Sequence, residues 1–243
     1  MSNLRYGLKE VANVIFFDVS TNKPVLFFDT LKVSTIENTS ESAEARGGQG
    51  NPKRISWDFG RTATLTMQDA LLSDASLAML AGTELKTTDI TVVGREVLTV
   101  DTGKVTLANT PIGSSVTVFK VNNGVMGEEV TGATVSDLEV TVPVEVTDGS
   151  QVMVFYDYKG GTGTSKVTFS GSQFPATYRV VGDTLVRGED GVDRIMQFVI
   201  PKAKLQSNFT LTMEAENVST FDFTLDVLAE AGTNTLYDIV RLA

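Results

Sequence analysis

The chain has 243 residues, with 20 Lys and Arg against 30 Asp and Glu for a formal net charge of −10, 13 Phe, and neither Cys nor His. Without thiol or imidazole there is no disulfide, no thiolate metal site, no Cys nucleophile and none of the His that serves as the usual general base and zinc ligand; the acidity argues against the basic footprint that grips nucleic acid by its phosphates. The 42 % hydrophobic content suffices for a sizeable core, and no run of about 18 apolar residues marks a transmembrane helix.

In chain order, the opening segment lacks a signal peptide, because the apolar stretch Val14-Ile15-Phe16-Phe17 is short and bounded by Asp18. Synthesis and retention in the cytoplasm of the producing cell is the expectation. Residues 11–19 and 24–36 read as strands joined by a turn at Ser20-Thr21-Asn22-Lys23. Residues 38–53, NTSESAEARGGQGNPK, show no apolar periodicity and read as a long exposed loop. Residues 54–67 return to strand, with Ile55, Trp57 and Phe59 alternating with Ser56 and Asp58. Trp57 and Phe59 are expected in the core, and Gly60 at a bulge. Residues 73–81 predict a helix, with Ser73 as cap, Asp74 in the first turn, a stripe of Leu77 and Leu80, and Gly82 closing it; a start as early as Asp69 is also open.

From 86 to 160 the texture changes. Short Val- and Thr-rich runs alternate with turn signals such as Asp101-Thr102-Gly103, Asn122-Asn123-Gly124 and Asp148-Gly149. That spacing predicts a small inserted β-sandwich of immunoglobulin-like type. Within it Val140, Val142, Val144 and Val146 alternate with polar residues, and Pro143 suggests an edge strand. Short strands follow at 166–169, 176–181 and 184–187, then a hairpin turn at Glu189-Asp190-Gly191 and a return strand at 194–200. Residues 1–85 and 161–243 would thus form one domain interrupted by 86–160.

The segment 201–230 is the most informative. Phe209, Leu211 and Met213 alternate with Thr210, Thr212 and Glu214; Phe221, Phe223, Leu225 and Val227 alternate with Asp222, Thr224 and Asp226. A period of two packs one face and wets the other, and no Lys or Arg occurs between Asn208 and Leu228. The result is a predicted acidic sheet face.

Few constellations carry chemistry. Glu214 and Glu216 on one strand face would stand roughly 6–7 Å apart, within the range of an inverting glycosidase pair, yet no aromatic platform flanks them. GGTGTSK at 160–166 fails as a phosphate loop, since Lys166 leads into a strand and no helix. GGQGN at 47–51 is a hairpin tip. Asp101, Asp137, Glu139 and Asp148 sit near turns where calcium sites occur, but read as solvated turn residues. No cofactor, no metal and no catalytic residue is expected.

Three segments, RTATLTMQDALLSDASLAMLAG (61–82), FPATYRVVGDTLVRGEDG (174–191) and FVIPKAKLQSNFTLTMEAENVSTFDFTLDVLAE (198–230), resemble bacteriophage tail-tube (major tail) proteins. The pattern FP-x-x-Y-x-x-x-G-x-T-x-x-R-x-E falls at Phe174, Pro175, Tyr178, Gly182, Thr184, Arg187 and Glu189. The similarity covers most of 1–85 and 161–243. It implies a β-sandwich or barrel with one short helix that closes into hexameric rings. The rings stack into a virion tube for genomic DNA, and tape measure, terminator, baseplate or sheath proteins are the other partners. DNA would pass without specific binding, along a wall lined by Thr210, Thr212, Glu214, Asp222, Thr224 and Asp226. Glu41, Glu44, Arg46, Lys53 and Arg54 of the polar loop would meet the neighbouring ring through matched charges. The insert would decorate the outside. The alternatives are an immunoglobulin-like surface adhesin or the inner tube of a contractile injection system.

Overall fold

The computed structural model describes residues 5–211, 213, 215 and 220–242. In chain order the elements are β1 (Tyr6–Leu8), β2 (Asn13–Asp18), β3 (Pro24–Phe28), β4 (Leu31–Arg46), β5 (Lys53–Asp69) and α1 (Asp74–Ala81). There follow β6 (Thr91–Thr99), β7 (Lys104–Thr106), β8 (Thr117–Asn122), β9 (Val125–Glu129), β10 (Thr134–Ser136), β11 (Glu139–Thr141) and β12 (Gln151–Lys159). The chain ends with β13 (Thr177–Gly188), β14 (Asp193–Leu205), β15 (Phe221–Val227) and β16 (Asp238–Arg241). The protein is mainly β and divides into two compact units, Met1–Leu85 with Val167–Ala243, and Lys86–Lys166.

The first unit is a nine-stranded sheet in the order β3-β2-β13-β14-β15-β5-β4, with β1 paired to β13 and β16 to β14. It does not close into a barrel: among the described residues β3 and β4 are unpaired on their outer sides at the two ends of that path. Instead both halves of the sheet bury side chains in one core. Val14 and Phe16 of β2, Phe28 of β3, Val180 of β13 and Ile200 of β14 share a cluster with Leu65 and Met67 of β5 and Phe223 and Leu225 of β15. Phe28 and Phe223 meet with ring centroids 5.1 Å apart. The buried-exposed alternation of β15, from Phe221 to Val227, places its four apolar residues in this core and Asp222 on the other face.

Helix α1 starts where its capping chemistry dictates, at Ser73 and not nearer Asp69. The Ser73 hydroxyl accepts from the Ser76 amide (3.1 Å), and the Ser76 hydroxyl accepts from the Ser73 amide (3.1 Å). Gly82 ends it in the left-handed conformation (φ 65°). Leu80 points into the core and Leu77 packs partly against it.

Several expectations need correction. Residues 38–53 are not a loop: β4 and β5 are the two arms of one long antiparallel hairpin, and only residues 47–52 turn. Trp57 and Phe59 lie on that hairpin half exposed (55 % and 52 %), not in the core, because the outer arm has no second layer beneath it among the described residues. Gly60 does mark a bulge, with φ 61° and a register shift opposite Thr39 and Glu41. The stretch 24–36 is two strands broken at Asp29-Thr30, and 176–187 is one strand, β13. Residues 167–169 form no strand; Lys166 makes only an isolated bridge with Lys86. Described residues around Phe209, Leu211 and Met213 lie outside any strand. Phe209 packs against the core, whereas Leu211 (42 %) and Met213 (85 %) are exposed.

The second unit holds two small sheets, β10-β11-β7 and β6-β12-β8-β9, around their own core of Val118, Val140, Val152, Val154 and Tyr156. Its hairpin turns use positive φ at Thr102-Gly103 and Asn123-Gly124, which matches the twist of the flanking strands. The predicted valine strand stops at Thr141: β11 is the middle strand of its sheet, Pro143 lies beyond it, and Val144 is 97 % exposed. A proline lacks the amide that a continuing ladder needs.

Candidate assembly surface

The motif residues at 174–189 hold the first unit together. Tyr178 sits edge-on to Phe16 at 5.6 Å. At Gly182 the space for a Cβ is occupied by the Phe198 ring. The Thr184 hydroxyl donates to the Glu10 carbonyl at 2.7 Å. Arg187 grips Asp193 through two hydrogen bonds of 2.6 Å, in the bidentate geometry that makes such pairs strong. That pairing holds the Asp193 carboxyl below the usual carboxylate range. Asp190, two residues into the hairpin turn, is lowered to about 2, first by the hydrogen bond from Arg194 and then by the Val192 amide.

The face of β15 opposite the core carries Asp222, Thr224 and Asp226. Register places them beside Gln68, Thr66 and Thr64 of β5, which in turn lie beside Val33, Thr35 and Glu37 of β4. Gln68 donates to Asp222 at 2.9 Å and Gln206 donates to Asp226 at 2.8 Å. The face is thus polar on β15 and β5 and, apart from exposed Val33, on β4. It is not free of cations: Lys204 of β14 pairs in register with Asp226, and exposed Lys202 stands two residues away. Those lysines were invisible in the 208–228 window because strand neighbours come from a distant part of the chain. Thr210 is exposed and lies outside any strand. Thr212, Glu214 and Glu216 lie outside the described residues.

The residues expected in a polar loop sit instead on the outer hairpin. Glu44 lies 2.6 Å from both Arg46 and Lys53, and its carboxyl is lowered mainly by Lys53 and then Arg46. Arg54 donates to the Gly47 carbonyl at 3.2 Å, and Glu41 pairs with Phe59 across the hairpin. On the hairpin face carrying Ile55 and Trp57 the opposing residues are Ala45 and Ala43, so a small-residue row lies beside a large apolar one. This stripe is legible as an alternation, but alternation alone does not say whether the apolar side meets a core or another molecule.

In the second unit the carboxylates near turns act locally. Asp148 accepts from the Gly103 amide at 2.7 Å, and Glu139 pairs with Lys104 at 2.9 Å. The Glu96 carboxylate accepts from the buried Tyr156 hydroxyl and from the Ala108 amide. Burial, then the Glu96 bond, raises the Tyr156 phenol. Among the described residues no group of three or more potential metal ligands converges, and no helix is long and apolar enough to cross a membrane.

Compared with known families, residues 6–241 match the model of the YomU/Tube protein family. No curated protein matches the chain.

Proposed function

Because the chain belongs to the YomU/Tube protein family, a family of phage-associated tube proteins, we propose that it is the repeating structural subunit of a phage tail tube. Copies close into rings, six to a ring in the likeness of tail-tube proteins, and the rings stack into a channel for the genome. The observation that supports this most is the β4–β5 hairpin. Its arms of 16 and 17 residues run past the core and expose both apolar and charged side chains. Free edges at β3 and β4 add to it. Long unpaired edges are hazards in a solitary molecule, and pairing between copies removes them.

The polar face of β15 lines the bore in this reading. Asp222 and Asp226, with the threonines between them, repel the phosphate backbone over about 8 Å at physiological salt. Changing Asp222 and Asp226 together to Lys leaves rings intact and slows or blocks genome ejection; unchanged infectivity would place this face elsewhere. The tape measure, terminator, and baseplate or sheath proteins are the heterologous partners. The second unit is an immunoglobulin-like decoration.

Negative-stain microscopy of the purified protein tests the proposal. Annular particles or hollow tubes support it. Dispersed particles of single-chain mass at high concentration overturn it.

A further inference from the structure

Three exposed turns place a glycine directly after a side chain that can cyclise onto the glycine nitrogen: Asn123-Gly124, Asp148-Gly149 and Asp190-Gly191. A glycine has no side chain to obstruct such a ring. Two of the three are restrained. The Gly149 amide donates to the Val100 carbonyl at 2.8 Å, and the Asp148 carboxylate accepts from the Gly103 amide at 2.7 Å. The Gly191 amide donates to the Gly188 carbonyl at 2.9 Å, and Asp190 is held by Arg194 at 2.7 Å. Both side chains are moreover carboxylates, ionised at neutral pH and therefore poor electrophiles.

Asn123-Gly124 is restrained in neither way. The pair forms the two-residue tip of the β8–β9 hairpin, with φ of 51° and 79° and Asn122 paired to Val125 across it. Among the described residues neither the Gly124 amide nor the Asn123 carboxamide has a hydrogen-bond partner. The space beside Gly124 is open, with nothing within 4 Å of where a Cβ would stand. Ring closure requires the Asn123 Cα–C bond to rotate out of the turn conformation, so the tip must open. Strand β9 is an edge paired with β8 alone, and Val125 and Met126 are already 67 % and 49 % exposed. Little packing opposes that local opening. No other Asn precedes Gly, and Asn51 precedes Pro52, which has no N–H.

We propose that Asn123 is a site of spontaneous covalent modification in the second unit. The Gly124 nitrogen attacks Asn123 Cγ and a new C–N bond closes a five-membered imide. The carboxamide C–N bond breaks, and its nitrogen leaves as ammonia with the proton that the Gly124 amide gives up. Water then opens the imide at one carbonyl or the other, giving Asp or isoaspartate; no oxidant or reductant takes part. The conversion adds one negative charge to a chain of net charge −10. In the isoaspartate the backbone runs through Cβ and Cγ, so the tip gains an atom and the two-residue turn that sets the Asn122–Val125 register is lost. The site does not depend on the assembly reading.

The test ages the folded full chain in mildly alkaline buffer for several weeks. Samples are digested, and each peptide is read by mass and by labelling with an isoaspartyl methyltransferase. The peptide holding Asn123 is expected to gain about 1 Da and to accept label, with ammonia released in matching amount. It should convert about tenfold or more faster than the Asp148 and Asp190 peptides isomerise, since those glycine amides must first give up a hydrogen bond. Asn123→Gln, whose ring would be one atom larger, should remove the early ammonia and the label from that peptide. An Asn123 peptide that keeps its mass throughout, or that changes no faster than the peptides of the other Asn residues, overturns the proposal.

Discussion

At the scale of single residues, the backbone at Gly82 makes two demands that only glycine meets. Its φ of 65° is left-handed, and a Cβ there would lie 2.2 Å from the Phe174 carbonyl oxygen. Backbone cannot swing aside as a flexible side chain can. Gly82→Ala therefore costs about 1–3 kcal/mol, readable as a lowered midpoint in denaturant, with loss of no more than about 0.5 kcal/mol counting against this account. Asp18 offers a pH test. The Ser20 hydroxyl, then the Thr21 amide and hydroxyl, donate to it and lower its pKa from 3.8 to about 2. The folded value lies below the unfolded one, so the turn's contribution is fully present above about 4 and is lost as pH falls through about 2. Carboxyl carbon NMR of Asp18 should titrate near 2; a midpoint near 3.8 would show that those hydrogen bonds do not persist in solution. Ser73 and Gly82 were legible because capping is local chemistry. The Phe198 ring over Gly182 was not, since its partner lies on another strand.

At the scale of elements, β15 was readable wherever its environment is asymmetric, with Phe221, Phe223, Leu225 and Val227 inside and Asp222 outside. Leu225 has no exposed surface, so Leu225→Ala costs about 2–5 kcal/mol. Ser42→Ala on the outer hairpin changes stability by less than about 0.5 kcal/mol. Equal losses at the two sites, measured by chemical denaturation, would mean that the hairpin arm is packed in the isolated chain. The strand nature of 38–46 was hidden for a physical reason. Both faces are wet in one copy, so Asn38, Thr39, Ser40, Glu41 and Ser42 show no alternation, and the ladder with β5 alone defines them. Trp57 and Phe59 misled in the opposite sense: on the outer hairpin they keep the alternation of a strand that faces a core while standing half exposed. The polar face was legible on β15 itself, but Lys202 and Lys204 required the register with β14.

At the scale of the whole molecule, the texture of the sequence changes near residue 86, and the fold holds a compact unit at Lys86–Lys166. The bridge between Lys86 and Lys166 brings its two ends together, at the separation of about 4.5–5.5 Å typical of antiparallel pairs. Joining Leu85 to Val167 through a short Gly-Ser linker should leave the first unit folded and competent to assemble. Loss of assembly, with circular dichroism still native, would assign the second unit to the interface. The proposed assembly, identical chains meeting sheet to sheet around a bore, would account together for the free edges, the long hairpin and the polar β15 face. Helical reconstruction of the assembled protein at side-chain resolution tests this most directly. The account predicts a hollow tube with Asp222 and Asp226 on its inner wall and each hairpin engaged with a neighbouring copy; solid filaments, or a bore walled by the Phe223–Leu225 side of the sheet, would contradict it.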